Sequence, residues 1–299
     1  MPTPPLLTPG ARVALIAPAG PLRGDEDLAR AIDNVRFFGW DAVPGEHVVA
    51  RTGYFAGTDA QRLADLQRAI QAEDIDAIWF ARGGYGAMRL LEQIDYDALR
   101  RRPKTIIGYS DITALHAAIG RRTGVVTYHG PTARARLTDF SRDSLGRAIA
   151  RGEDSLGAAP GARILRPGNA SGTLRGGNLA LLAALVGTPF APSLDDAILI
   201  LEDVNEAVYR IDRMLQQLRL SGMLRGVRAI VAGHFTNCTP ESDDGARSLD
   251  EVLLETAEMI GVPCVAGVPV GHIDDQWTVP LGLEGVLTAE TEVRLTVTR

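Results

Sequence analysis

The sequence contains two cysteines, Cys238 and Cys264, with no CxxC pair and no Cys/His cluster. A disulfide framework and a structural zinc site are therefore not expected, and both thiols read as reduced bystanders. A long apolar run is also missing near the N-terminus, where VALIA (13–17) is far too short to cross a bilayer. The preceding residues carry prolines where a secretory signal would carry Lys or Arg, so a cytoplasmic protein is expected. Positive charge is in short supply, with 31 Lys and Arg against 37 Asp and Glu for a net charge of -6. That balance speaks against nucleic acid or an anionic membrane as partner and favours a small molecule or peptide. Neither GxGxxG nor GxxxxGK[ST] occurs, so no nucleotide cradle and no cofactor are expected.

What remains is ordinary globular material, 299 residues with 45% hydrophobic side chains, 23% charged ones and 32 glycines. This exceeds one ordinary domain, and two lobes are expected. VALIAPAG reads as a buried strand and DEDLARAIDNVRFFG as a helix with Leu28, Ile32, Val35 and Phe38 on one face. The alternation continues with the helix DAQRLADLQRAIQ, the strand IDAIWFA, the turn RGGYG, the helix AMRLLEQI, the strand TIIG, the helix DITALHAAIG and the strand end VVTYHGP. Strand and helix alternating in this way imply a doubly wound parallel sheet over residues 1–135. Residues 133–172 are rich in Gly, Ala, Arg and Pro and lose clear apolar periodicity, so a linker is set at 136–170. Residues 171–299 then form a smaller C-terminal α/β lobe. It comprises the helix GGNLALLAALVG, the strand AILILED, a helix with Val204, Ala207, Val208, Ile211, Leu215 and Leu218 on one stripe, strands VRAIVAGHF and VPVGH, and closing β-hairpins.

Ser110 stands where the strand TIIG stops and a helical pattern begins. Two readings stand. A serine on a strand-turn-helix elbow is exposed as a nucleophile, with the backbone N–H of Asp111 at the positive end of the next helix available to a developing oxyanion. A serine at a helix start is also a good N-cap. The turn RGGYG (82–86) also follows a strand and opens a helix, so its amides can approach the same crevice. A base is needed, and the histidines are His47, His116, His129, His234 and His272. His116 lies about 240° around a helix and roughly 9 Å along its axis from Ser110 and cannot reach the hydroxyl. His129, His234 and His272 each follow a strand-like run, and spacing does not rank them. In LEDVNEAVYRIDRML, Asp203 and Glu206 read as a capping box. Glu202 has no such explanation: it ends the apolar run AILIL, where a buried carboxylate calls for a partner such as an imidazolium.

RGGYGAMRLL, IIGYSDITALH, TYHGP, LRGGNLALLAALVGTPF, LEDVNEAVYRIDRMLQQLRLSG and VPVGH, in this order over nearly the whole chain, resemble the LD-carboxypeptidases of serine peptidase class S66. That family includes the muramoyl-tetrapeptide carboxypeptidases, which look nearest, and the microcin C immunity proteins. The resemblance implies Ser110 as nucleophile, His272 as base, Glu202 as its orienter, and Asp111 and Gly84 as donors of oxyanion amides. It implies a flavodoxin- or class I glutamine amidotransferase-like N-terminal lobe, a site between the lobes, a homodimer, a role in cell-wall recycling, and hydrolysis of murein tetrapeptides before the terminal D-alanine. A substrate with a free carboxylate suits a guanidinium, and Arg82 beside the glycine turn is the candidate. The alternative is a microcin C immunity-type hydrolase of aminoacyl-nucleotides. That substrate calls for an aromatic platform, of which residues 133–172 offer only Phe140. APAG (17–20) departs from the serines common in the family at this place, outside the implied catalytic residues. With no ligand cluster of catalytic-metal type in the sequence, hydrolysis is expected to be unchanged after EDTA treatment; loss of activity restored by zinc is the opposite result.

Overall fold

The structure, a computed structural model, describes residues 2–239 and 247–298. Its first part runs β1 (Arg12–Ile16), α1 (Asp25–Phe37), β2 (Asp41–Pro44), α2 (Asp59–Gln71), β3 (Ala77–Phe80), a 3-10 turn (Ala87–Gln93), α3 (Tyr96–Arg101) and β4 (Thr105–Gly108). A second 3-10 turn (Ser110–Ile112), α4 (Thr113–Thr123) and β5 (Thr127–His129) follow, then α5 (Asp139–Gly146) with a π-helical turn (Arg147–Arg151) and the strands β6 (Gly157–Ala158), β7 (Arg163–Arg166) and β8 (Ala170–Asn178). The rest is α6 (Leu179–Ala184), β9 (Ala197–Val204), α7 (Val208–Leu220), β10 (Ala229–Thr236), α8 (Leu249–Ile260), β11 (Cys264–Ala266), β12 (Val279–Leu281), β13 (Glu284–Ala289) and β14 (Val293–Thr298).

Two sheets organise these elements. The first has the order β12-β5-β4-β3-β1-β2, parallel throughout except for β12, which runs antiparallel to β5. Its strands β3 and β4 are buried at every residue, as expected when helices cover both faces. One face packs on α2, α3 and α4 through Leu66, Ile70, Leu99, Leu115 and Ile119; the other packs on α1 and α5 through Val35, Trp79, Leu145 and Tyr128. The second sheet has the order β6-β14-β13-β8-β9-β10-β11-β7, with a parallel centre from β8 to β11 and antiparallel edges. The helices α6, α7 and α8 supply Leu182, Ile211, Leu215, Leu218 and Leu253 to one of its faces, and a separate cluster with Trp277, Val279 and Leu281 lies against the other. The mixed α/β, two-lobed architecture expected from the sequence is present, and β13 and β14 make the terminal hairpin.

Several local expectations are corrected. Asp203 and Glu206 do not cap α7, whose N-cap is Ala207 without a side-chain bond. The Asp203 carboxylate instead accepts from Asn178 Nδ2 at 2.9 Å, from the Ala180 amide at 2.9 Å and from the Val204 amide at 2.8 Å. It therefore caps α6, a helix that precedes it in sequence and lies beside it across the sheet. Val204 is on β9 rather than on the α7 stripe, and Asn205 at φ 59° turns the chain between the two. VPVGH (268–272) is a loop: Pro269 has no N–H to give a ladder, and the strand is the preceding CVA of β11. AMRLLEQI forms a 3-10 turn instead of an α-helix. Residues 136–170 are not irregular, since α5, the π-helical turn, β6 and β7 lie within them. One basic run, Arg100 to Lys104, closes α3; Arg100 pairs with Asp97, and Lys104 is buried, donating to the carbonyls of Ala72 and Ile75.

Two buried tethers shape the ground under the site. Arg62 on α2, 1% exposed, donates to the carbonyls of Pro18 and Gly86, the latter at 3.0 Å, so one guanidinium joins the APAG loop to the end of the glycine turn. Ser141 on α5 donates to Asp274 O at 2.7 Å and accepts from the Gln276 amide at 2.8 Å, which holds the loop between β11 and β12. Removing Arg62 takes the guanidinium donor from the Pro18 carbonyl and breaks the link to Gly86, whose carbonyl keeps only the Arg89 amide at 3.2 Å. Arg62→Met is expected to lose about 3 kcal/mol in urea denaturation, with Arg62→Lys recovering less than half because one ammonium cannot replace the fork.

Candidate active site

The chain leaves β4 at Gly108, passes Tyr109 in an extended conformation and places Ser110 at φ 66°. A left-handed serine costs about 1–2 kcal/mol, a strain typical of a side chain aimed by its backbone. Ser110 caps no helix: α4 has Ile112 at its N-cap with no side-chain bond, whereas Ser110 Oγ lies 3.2 Å from His272 Nε2. The strand-turn-helix context, readable in sequence, thus presents the hydroxyl, and its hydrogen-bond partner comes from 162 residues away.

His272 sits in the loop after β11. Its Nδ1 is 2.8 Å from Glu202 Oε2 on β9, a residue with no exposed surface. A carboxylate accepts a hydrogen bond from Nδ1–H, which keeps the proton on Nδ1 and leaves Nε2 as the acceptor facing Ser110. The loop reaches this point because Gly271 adopts φ 123°; a Cβ there would lie 2.7 Å from His234 O and 3.2 Å from Glu202 Cβ. Thr236 Oγ1 donates to His272 O at 3.1 Å, and the Ser141 contacts hold the residues beyond. Tyr109 packs its ring 4.8 Å from the imidazole centroid.

Among the described residues, no other histidine is hydrogen-bonded to Ser110. His116 Nε2 bonds Gly108 O at 2.8 Å, and burial pushes its pKa down to about 4. His129 is fully buried at the end of β5, pushed down to about 3 by burial and then by His116 and His272, so both rings stay neutral beneath the elbow. The His234 amide donates to Val270 O, and burial lowers the pKa of its ring. His47 pairs with Asp65 at 3.0 Å.

The glycine turn meets the elbow directly. A Cβ on Gly83 would lie 2.9 Å from Ser110 Cβ and 3.2 Å from its Oγ, so only glycine admits the serine there. Gly84, at φ 116°, faces Gly20 just as closely. Asp111 is 2% exposed, and its Oδ2 accepts from the Ala87 amide at 2.8 Å, pinning the turn to the elbow. Its pKa is raised to about 6 by burial, offset in part by the backbone bonds of Ala87 and Gly86 and by the Arg62 charge. Arg82 is half-buried and donates to the Pro21 carbonyl.

Sequence reasoning missed several neighbours. Tyr109 and Gly83 adjoin residues it singled out, but their contacts depend on the fold. Tyr54 and Tyr85, 66% and 51% exposed, form an aromatic patch with Phe55 at centroid distances of 4.4–5.7 Å on and beside the glycine turn. Their signal was the Tyr of RGGYG itself. Among the described residues, no group of three or more His, Cys, Asp or Glu could hold a metal ion, and no helix is long and apolar enough to cross a membrane.

An α/β fold with an elbow serine, an imidazole and a buried carboxylate in one hydrogen-bonded line defines a peptidase-like class, and comparison with known proteins narrows it. Residues 13–130 match the LD-carboxypeptidase N-terminal domain and residues 171–287 the C-terminal domain. The chain belongs to the LD-carboxypeptidase family, peptidase class S66. It is 42% identical to a putative carboxypeptidase of Streptomyces coelicolor, over 95% of this chain and 93% of that one. It is 37% identical to a murein tetrapeptide carboxypeptidase of Pseudomonas aeruginosa, covering 92% of each. The crystal structure of a muramoyltetrapeptide carboxypeptidase from Oxalobacter formigenes superposes with a TM-score of 0.86 at 30% identity, covering 97% of this chain and 99% of that one.

The raised pKa of Asp111 carries a stability signature. Between the unfolded value near 4 and the folded value of about 6, the native state binds more protons, so this group's contribution falls as pH rises through that window. The stability of Asp111→Asn relative to wild type is therefore expected to increase by about 2 kcal/mol from pH 4 to pH 7 in paired denaturation curves; a pH-independent difference contradicts the assignment.

Proposed function

We propose that the protein is a serine LD-carboxypeptidase that removes the terminal D-alanine from murein tetrapeptides. The observation that carries this reading is the line Ser110 Oγ, His272 Nε2 and Nδ1, Glu202 Oε2, at 3.2 Å and 2.8 Å, on a left-handed serine. Ser110 attacks the carbonyl between the third residue and D-alanine while His272 takes its proton. His272 then gives that proton to the departing amine, and D-alanine leaves with the tripeptide held as an ester on Ser110. Water, deprotonated by His272, attacks the ester and frees the tripeptide. Glu202 keeps the imidazole in the required tautomer and stabilises its protonated form.

The oxyanion is assigned to the backbone N–H groups of Asp111 and Gly84. Asp111 is the second residue of the 3-10 turn at the elbow and Gly84 belongs to the turn against it, so amide donors from two elements serve one oxygen. Arg82, next to Gly83, is the candidate for the substrate carboxylate. No metal or cofactor enters this scheme. A cytoplasmic homodimer acting in peptidoglycan recycling completes the reading, carried by the family resemblance.

A second reading is favoured by the aromatic patch. Tyr54 and Tyr85 offer the platform that residues 133–172 lack, and an aminoacyl-nucleotide could stack a base there while its acyl group meets the same serine. Mass spectrometry of the protein incubated with tetrapeptide, pentapeptide and an aminoacyl-adenylate analogue separates the two: loss of D-alanine from the tetrapeptide supports the first, and cleavage of the analogue alone supports the second.

His272→Ala and Ser110→Ala are each expected to lower kcat by several orders of magnitude, with the double variant hardly worse than either, because members of one catalytic unit do not lose additively. Glu202→Gln should cost less. His234→Ala should stay within a few fold of wild type. An active His272→Ala enzyme removes the base assignment.

A further inference from the structure

The loop between β1 and α1 gathers guanidinium groups. Arg82 donates to Pro21 O, and Arg51 Nη2 donates to Leu22 O at 3.0 Å. Arg134 Nη1 reaches Asp27 Oδ2 at 3.2 Å, the same oxygen that takes the Arg23 amide at 3.0 Å, while Arg30 approaches the other oxygen at 3.3 Å. Asp27 is the buried carboxylate at this place, and its pKa is lowered by the Arg23 amide and by Arg134 and Arg30 against the cost of burial. Asp25 and Glu26, the neighbouring acids, are exposed. The charge of Asp27 is therefore already shared between Arg30 and Arg134 and is also felt at Arg82, whose guanidinium donates to the Pro21 carbonyl. Burial lowers the pKa of Arg82, followed by the like charges of Arg134 and Arg23 and, more weakly, Arg51, while the Asp27 carboxylate acts against them.

This cluster adjoins the nucleophile. The Gly20 amide donates to Gly83 O at 3.0 Å, so the loop is bonded to the turn whose Gly83 abuts Ser110. Arg82 is the residue before Gly83, and the Arg134 amide donates to Ala81 O at 3.4 Å, one residue further back. The charge of Arg134 is also felt at the Tyr109 hydroxyl, on the residue before Ser110. Both Arg82 and Arg134 reach residues 21–27, through Pro21 O and Asp27 Oδ2; neighbouring guanidinium groups repel less when an anion lies beside them, and two planar forks suit the two oxygens of a carboxylate.

We propose that Arg82 and Arg134 form a two-arginine subsite for the free C-terminal carboxylate of the peptide, with Arg23 and Arg51 adding field. The assignment of the bound carboxylate to the leaving residue rests on the carboxypeptidase reading above; the anion site itself does not. It makes the protein an exopeptidase by charge: a peptide extended or amidated at its C-terminus has nothing to offer the pair.

The test compares a tetrapeptide acid with its C-terminal amide on the wild-type protein, and N-acetyl-D-alanine with N-acetyl-D-alaninamide for binding to the Ser110→Ala protein by NMR titration. Expected are at least a 100-fold preference in kcat/KM for the acid, reduced to 10-fold or less in Arg134→Gln mainly through KM, and acid-selective binding that weakens as NaCl rises and is lost in Arg82→Gln and Arg134→Gln. Equal turnover of acid and amide overturns the proposal, as does binding of N-acetyl-D-alanine that survives both substitutions. If no peptide is cleaved yet the acid still binds in an arginine-dependent manner, the carboxypeptidase reading fails and the anion site stands. Should Arg134→Gln fail to fold, the wild-type acid and amide comparison decides by itself.

Discussion

A carboxyl group with no exposed surface at the end of β9 sets the terms for the rest of the molecule. Burying Glu202 without a partner would cost several kcal/mol, and the contact that answers it is His272 Nδ1 at 2.8 Å. The loop after β11 must therefore return to β9, and it is held there by Gly271, by Thr236 on β10 and by Ser141 on α5. The same imidazole reaches Ser110 on the other sheet. The two lobes are thus docked at the contact that we propose carries the chemistry. Around it, β12 adds itself to the edge of the first sheet beside β5, and Thr113 Oγ1 accepts from the Asn178 amide at 3.0 Å.

Other buried carboxylates serve as staples. Asp111 ties the elbow to the glycine turn, and Asp203 ties the end of β9 to the start of α6. Each trades solvation for backbone N–H groups that would otherwise lie unpaired at turn and helix starts, and burial raises the pKa of both to about 6. Beneath the elbow, His116 and His129 are kept neutral by the same lack of solvent, so they fill space under Ser110 without adding charge to it. Strain and permissiveness are matched above them: Ser110 is held left-handed where Gly83 leaves room for its side chain.

The errors of sequence reading have a common origin. Asp203 and Glu206 have the spacing of a capping box, yet the Asp203 carboxylate bonds Asn178 and Ala180, neighbours across the sheet that no local pattern exposes. Residues 133–172 look like a spacer because their periodicity is broken, yet Ser141 and Ser144 on α5 bond the backbone of the loop beyond His272, Ser144 Oγ taking the Thr278 amide at 2.8 Å. VPVGH has strand-like composition, but its proline and the left-handed glycine make it the loop that carries the imidazole.

By itself the sequence determined what depends on neighbours along the chain. Alternating strands and amphipathic helices imply parallel α/β sheets, TIIGYSD marks an elbow, RGGYG a close-approach turn, and a carboxylate ending AILIL requires a partner. These follow because a strand, a turn or a stripe is a property of a few consecutive residues. Only the tertiary structure decided which histidine lies beside Ser110, that Ser110 caps nothing, that Asp203 serves α6, and that arginines at 23, 51, 82 and 134 converge on one loop. Those pairings join residues tens to more than a hundred positions apart. Their selection depends on strand order and on the burial that makes an unpartnered charge costly, neither of which is written in any local stretch of the chain.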